Sequence, residues 1–501
     1  MQTDEAPRTR VVPRLVLHGA PITFRELCER AVPRDTETIV LDLDRTVHLG
    51  RNMGELLGWE LGARDAYGEA TLARLESARS RGRFCTLWSE PRGLVRYTLA
   101  GARNWAVPGL TYFLWGRLAS TLALLRHRSF LRYGPEPVRV VQRIPQTALL
   151  ALLADVPVDV LEELARAVWE RHVPDQVIFA EDIAWLRTWC PGVTIILSSA
   201  SPQPTVAVAA RALGVDDYAA STVECRDGFL SAPVEGMRGA PRRLASPDDV
   251  RINTGSAKIE DLARRHPAAL AKGARTVGIT DTGYGEDHAW ANHFARVIDV
   301  NSDTPFVPIV RADSPLEEIH SATVLTHEER RTGKLDPRRK NRPAGEPRVL
   351  SADELAARIG PFAREAEDLA RAYAVTEHAL AEKTAGLRKA ARELAERLGQ
   401  AVSDYNVAAP DARAALLTAL APLRAAESAL VRELARVEQP LSEIAFALTS
   451  TLESSRRALV DGPLEALPTR VTEAWDPRPH ALTELRPTSS VMLPLRLASG
   501  G

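Results

Sequence analysis

Apolar positions along this chain change period from region to region, and each period predicts a different kind of element. Short continuous apolar runs occupy residues 39–43 (IVLDL), 193–197 (VTIIL), 276–280 (TVGIT), 296–300 (RVIDV) and 306–310 (FVPIV). Runs of this length read as strands buried on both faces. Helical spacing separates them. A capping-box pair, Thr23 and Glu26, opens a helix that ends near Ala31, before Pro33. Residues 176–189 and 257–265 also read as helices, and another runs up to Leu213 and stops at Gly214. Residues 222–234 read as a hairpin turning at Asp227-Gly228. Strands alternating with helices predict an α/β fold: a Rossmann-like, three-layer core with a parallel sheet.

Two stretches break that rhythm. Residues 47–175 carry Trp, Leu and Arg at helical spacing, with residues 158–171 strongly amphipathic, and predict an all-helical insertion into the core. Residues 351–462 predict a second helical region, opened by the Ser351/Glu354 capping box. A 4-3 register runs from Leu355 through Ile359, Phe362, Ala366, Leu369 and Tyr373 to Leu394, weakened at Thr376 and Lys383. Gly360-Pro361 is expected to restart the helix. Two further registers, 416–441 and 441–459, complete a bundle or antiparallel coiled coil. Such helices either pack within the chain or mediate self-association, and spacing alone favours neither. The chain thus divides into a lead-in (1–35), a core (36–46 and 176–312), a helical insertion (47–175), a linker (313–350), the C-terminal helices (351–462) and an irregular tail (463–501).

Composition narrows the class. The chain has 501 residues, a formal net charge of -1, 45% hydrophobic and 26% charged residues, the profile of an ordinary soluble protein. Near-zero charge argues against nucleic-acid partners. Cys28, Cys85, Cys190 and Cys225 form no CxxC pair, which suggests reduced thiols and a cytoplasmic location. Residues 106–125 approach membrane-spanning length but carry Arg117 near their centre, so a transmembrane span is disfavoured and peripheral membrane contact is the alternative.

The candidate chemistry lies at the carboxyl ends of the predicted strands, where open α/β sheets place their sites. Those ends carry Asp42, Asp44, Ser199 and Asp281. Asp42 and Asp44 alternate onto one side of a strand, and two carboxylates that close need a cation or a shared proton.

Asp42-x-Asp44-x-Thr46 after a strand, Ser199 after a strand, Lys258 at a helix start and Asp281 after a strand occur in one order. This set resembles the haloacid-dehalogenase-like (HAD) superfamily, in its phosphoserine-phosphatase-like branch. The SSASP run (198–202), the Asp227-Gly228 hairpin and the VNSD run (300–303) resemble that branch too. The resemblance implies a magnesium-dependent phosphomonoester hydrolase acting on a small phosphate ester. Asp42 would be the nucleophile that forms an aspartyl-phosphate, and Asp44 the general acid/base. Lys258 would balance charge, and Thr46, Ser199, Ala200 and Lys258 would bind the substrate phosphate. Mg2+ would be held by Asp42, Asp44 and Asp281. Phosphotransfer to another acceptor, or a non-enzymatic interaction module using the C-terminal helices, are the alternatives. The chain departs from the family pattern at Arg45, where glycine is common, and after Asp281, where Glu286 or Asp287 must supply the second acid. The insertion sits where the family carries its cap. Its apolar character suggests a hydrophobic phosphate ester, with Arg126, Arg128 and Arg132 as anion contacts.

Overall fold

A computed structural model describes residues 9–49, 52–67, 149–233, 240–246, 249–281, 287–302, 308–335 and 348–459. The segment 106–125, Arg126, Arg128, Arg132, Glu286 and the tail lie outside these residues. The strands are β1 (Thr9–Val11), β2 (Arg14–Leu17), β3 (Thr38–Leu41), β4 (Thr194–Pro202), β5 (Asp217–Ser221), β6 (Cys225–Arg226), β7 (Phe229–Leu230), β8 (Thr276–Thr280), β9 (Arg296–Val300), β10 (Ile309–Arg311), β11 (Glu318–Ala322) and β12 (Arg348–Ser351). The helices are α1 (Phe24–Ala31), α2 (Met53–Tyr67), α3 (Val158–Arg171), α4 (Ala180–Trp189), α5 (Gln203–Leu213), α6 (Ser256–Arg265), α7 (His327–Thr332), α8 (Ala352–Val407), α9 (Arg413–Val437) and α10 (Gln439–Ala458).

The main sheet has the order β12-β2-β11-β9-β8-β3-β4-β5. Every neighbouring pair is parallel except β12 with β2. All four residues of β3 are buried, which explains its uninterrupted apolar run. Alternate residues serve opposite faces. Ile39, Leu41, Ile195, Leu197, Val277 and Ile279 join one core with α1, α3, α4 and α5. Val40, Ile196 and Val297 join the other with α6, Trp290, Phe294, α8 and α10. This is the predicted three-layer α/β arrangement.

Several expectations need correction. Residues 176–179 are not helical; a 3-10 turn (Val173–Asp175) precedes them and α4 starts at Ala180. Residues 309–311 pair with β1 in a separate two-stranded sheet rather than extending the main one. The predicted linker contains α7, capped by Thr326 and Glu329, and β11 and β12, both strands of the main sheet. The helix does not restart at Gly360-Pro361: α8 runs through Pro361 for 56 residues, about 84 Å at 1.5 Å per residue. Burial of Leu355, Ile359, Ala366 and Ala370 on either side offsets the backbone bond lost at Pro361. The 4-3 register slips further on, where Thr384 is buried and Lys383 exposed.

The C-terminal helices pack within the chain. Residues of α8 and α10 complete the second core. The far part of α8 docks on residues 240–246, where the Tyr405 hydroxyl donates to the Pro241 carbonyl at 2.5 Å and Asn406 exchanges two hydrogen bonds with Leu244. No helix among the described residues is long and apolar enough to cross a membrane.

Candidate active site

Three parallel strands, β4, β3 and β8, bring the motif residues to one edge. Asp42 follows β3, and its N–H donates to the Ile279 carbonyl at 2.9 Å, which keeps it on the ladder beside β8. Lys258 arrives from the opposite side on the first turn of α6. Gly255, with φ 57°, lets the chain turn sharply into that helix. The Lys258 ammonium donates to Asp42 Oδ1 at 2.8 Å and to Asp287 Oδ1 at 2.6 Å. Thr280 donates to the other Asp287 oxygen at 2.6 Å. The Trp290 ring lies 5.4 Å from the same ammonium. Gly278 makes room for that ring, since a Cβ there would stand 2.6 Å from it. Of the two acids that sequence alone leaves open after Asp281, the structure brings Asp287 to Lys258.

Asp44 is held by three donors. Its Oδ1 accepts from the Met53 N–H at 2.7 Å, and its Oδ2 from the Ser201 and Ser199 hydroxyls at 2.7 and 3.1 Å. The Gly54 N–H donates to the Ser201 hydroxyl at 3.2 Å, so the first turn of α2, the start of the insertion, is wired to the Asp44 carboxyl. Ser201 escaped the motif reading. Its signal was present, because strand alternation puts Ser199 and Ser201 on one side. Asn253, also unforeseen, steadies this strand tip by donating to the Ser199 carbonyl at 2.9 Å. Ala200 lies buried between these serines.

Thr46 is fully buried and joins two strand tips: it donates to Asp42 Oδ2 at 3.4 Å and accepts from the Asp281 N–H at 2.8 Å. The Ser302 hydroxyl contacts the Asp281 carbonyl and the Asp299 carboxylate, so the VNSD run braces Asp281 from behind. Arg45 has φ 67°, in the left-handed region that favours glycine. This geometry explains why glycine suits the position. The Arg45 Nε stands 3.2 Å from Asp281 Oδ2.

Charge in this cluster is strained. Burial pushes the Asp42 carboxyl well above the usual range; Lys258 opposes the shift, and Asp287, Asp281 and Asp44 add to it. Burial also raises Asp44, outweighing the bonds from Met53, Ser201 and Ser199 that hold it down. Asp42 and Asp287 share the buried Lys258 ammonium and Asp281 meets the Arg45 guanidinium, so three buried carboxylates face two cations. Hard carboxylate oxygens with uncompensated negative charge fit a magnesium-type dication.

No protein-family model and no curated protein matches the sequence. Among solved structures, the chain is similar to a protein of unknown function from Bordetella pertussis Tohama I (15% identity, TM-score 0.31, covering 54% of this chain and 92% of that one). It is also similar to a substrate-bound phosphoserine phosphatase (14% identity, TM-score 0.27, covering 54% and 88%). A third is a HAD family hydrolase from Salmonella enterica subsp. enterica serovar Typhi (15% identity, TM-score 0.29, covering 56% and 70%). Asp42, Ser199 and Asp281 thus stand at three adjoining strand ends of a parallel sheet, with Lys258 reaching in from α6, which is the arrangement the motif order predicted.

Proposed function

We propose that this protein is a magnesium-dependent phosphomonoester hydrolase working through an aspartyl-phosphate on Asp42. The observation that carries the reading is the pair of differently supported carboxyls: Asp42 against the Lys258 ammonium, and Asp44 among neutral donors. Those settings suit opposite roles. Asp42 attacks phosphorus as a carboxylate and the ester O–P bond breaks. Asp44, held by neutral donors and away from the ammonium, gives its proton to the leaving oxygen. The same carboxylate then takes a proton from the water that attacks the aspartyl-phosphate, releasing inorganic phosphate and restoring Asp42.

Lys258 holds the Asp42 carboxylate in place and meets the charge of the phosphoryl group. Ser199 and Ser201 orient Asp44, and Thr46 ties Asp42 to the Asp281 turn. Magnesium, held by the Asp42 and Asp281 carboxylates and the Asp44 main-chain carbonyl, would shield the nucleophile from the phosphoryl oxygens. The substrate is a small phosphate ester admitted by the insertion.

The test is phosphate release from a panel of phosphomonoesters, with and without magnesium, by the wild type and Asp42→Asn. Magnesium-dependent turnover that falls at least about a thousandfold in Asp42→Asn is expected. Equal turnover in both proteins overturns the mechanism.

A further inference from the structure

The insertion leaves and rejoins the core at one place. Residues 47–49 pair with residues 175–177: the Val177 N–H donates to the Val47 carbonyl at 2.8 Å, and the Leu49 N–H to the Asp175 carbonyl at 2.9 Å. His48 sits on the outgoing strand, fully buried, and neither ring nitrogen meets a hydrogen-bond partner. Buried polar atoms of this kind call for an explanation. Opposite stand His172, which ends α3, and Asp175 in the following turn. One ligand atom from each of His48, His172 and Asp175 lies within 4.8 Å of the others, and His172 Nδ1 is 3.5 Å from Asp175 Oδ2. Ligand atoms in a tetrahedral zinc site are about 3.3 Å apart, given bonds of about 2.0 Å, so a small contraction closes the set.

We propose that His48, His172 and Asp175 bind a transition-metal dication of the zinc class, at a site sharing no residue with the cluster around Asp42. Two imidazoles and a carboxylate match zinc, whereas magnesium prefers oxygen donors alone. Three protein ligands leave a fourth position open, and His172 and Asp175, with side chains 26% and 47% exposed, turn it toward solvent. The metal joins the outgoing strand to the returning one. It pins the base of the insertion, whose first turn supports Asp44 and whose α2 is joined to α3 by the Glu60–Arg171 ion pair.

The experiment titrates the full chain with zinc alone, against a chromogenic chelator and in excess magnesium, alongside the double variant His172→Gln, Asp175→Asn and the variant Asp281→Asn. Circular dichroism checks that each is folded; both residues of the double variant are partly exposed. The inference expects one zinc per wild-type chain and a zinc-dependent rise in melting temperature. It expects binding at least about tenfold weaker in the double variant and unchanged in Asp281→Asn. A wild type that retains no zinc, equal binding in the double variant, or loss in Asp281→Asn overturns it. Because the readout is binding rather than turnover, failure here leaves the hydrolase reading standing.

Discussion

Lys258 Nζ and Asp287 Oδ1 stand 2.6 Å apart, each side chain 2% exposed. Asp42 takes the same ammonium from the other side. Asp287→Ala leaves a buried ammonium half-satisfied and should cost about 3–5 kcal/mol, read as a lower denaturant midpoint. Asp287→Asn keeps the shape and should fold, with kcat about 10–100-fold lower because Lys258 is less firmly placed. A midpoint unchanged by the alanine would show that the pair does not hold Lys258.

Arg45→Gly removes a side chain from a left-handed position, a relief of about 1–2 kcal/mol offset by the freedom glycine adds to the unfolded chain. The buried Asp281 carboxylate also loses its half-buried guanidinium partner, a cost that opposes the backbone relief. Stability should therefore stay within about 1 kcal/mol of wild type. Freed of its guanidinium, Asp281 should meet magnesium more readily, so the magnesium concentration that half-saturates turnover should fall severalfold. A rise would reverse the assigned role of Arg45.

Gly54 is held by space. A Cβ there would lie 2.4 Å from the Pro202 Cδ and 2.8 Å from the Leu149 Cδ2. Gly54→Ala should cost about 1–3 kcal/mol by overpacking. It should also push the first turn of α2 off Ser201 and Asp44, lowering kcat further than stability alone accounts for. Thermal melts with kcat measured well below the transition separate the two effects.

Acid sensitivity should trace to Glu318. Burial pushes this carboxyl up, but the hydrogen bond and charge of His320, with Arg296 and Arg14, outweigh it and leave the pKa below the ordinary range. A depressed folded-state pKa stabilises above the unfolded value and is lost as pH falls through the folded one. Wild-type stability should therefore drop on acidification below the ordinary carboxylate range. Glu318→Gln should start less stable near neutrality and show a flatter acid limb in urea titrations at stepped pH.

A chain ending at Pro347 should be poorly soluble. It lacks β12 and the helices that cover Val12, Ile309 and Leu316, exposing apolar surface and a bare sheet edge. Light scattering of matched samples checks this; a soluble, monodisperse product would mean the second core closes without α8 and α10.

The strands around the site were legible because β3, β4 and β8 are buried on both faces and so read as plain apolar runs. The other half of the sheet was not. β11 reads EIHSA, yet every residue is buried, because Glu318, His320 and Ser321 find partners in Arg14, Arg296, His18 and Asp299. Polar groups satisfied by distant residues leave no periodic trace. β12 is as long as β3 but mostly exposed, so it leaves no apolar run beside the proline-containing basic stretch that precedes it. Within the site, order and strand placement marked Asp42, Lys258 and Asp281, whereas the Asp287–Lys258 pair and the Ser201 bond to Asp44 depend on loop paths that spacing does not show. The slip from Lys383 to Thr384 is likewise a matter of what α8 packs against.

The sheet also fixes a timetable. β3 is made early, yet its two neighbours, β4 and β8, follow far downstream, and the edge strand β12 comes after nearly all of the core. At about 5–20 residues per second, a ribosome takes some tens of seconds between β3 and β8. The nascent chain therefore carries an apolar strand ending in Asp42 and Asp44 that gains its first partner only with β4 and its second only with β8. The charges at that tip guard it during the wait, opposing lateral association before Lys258 arrives to neutralise them.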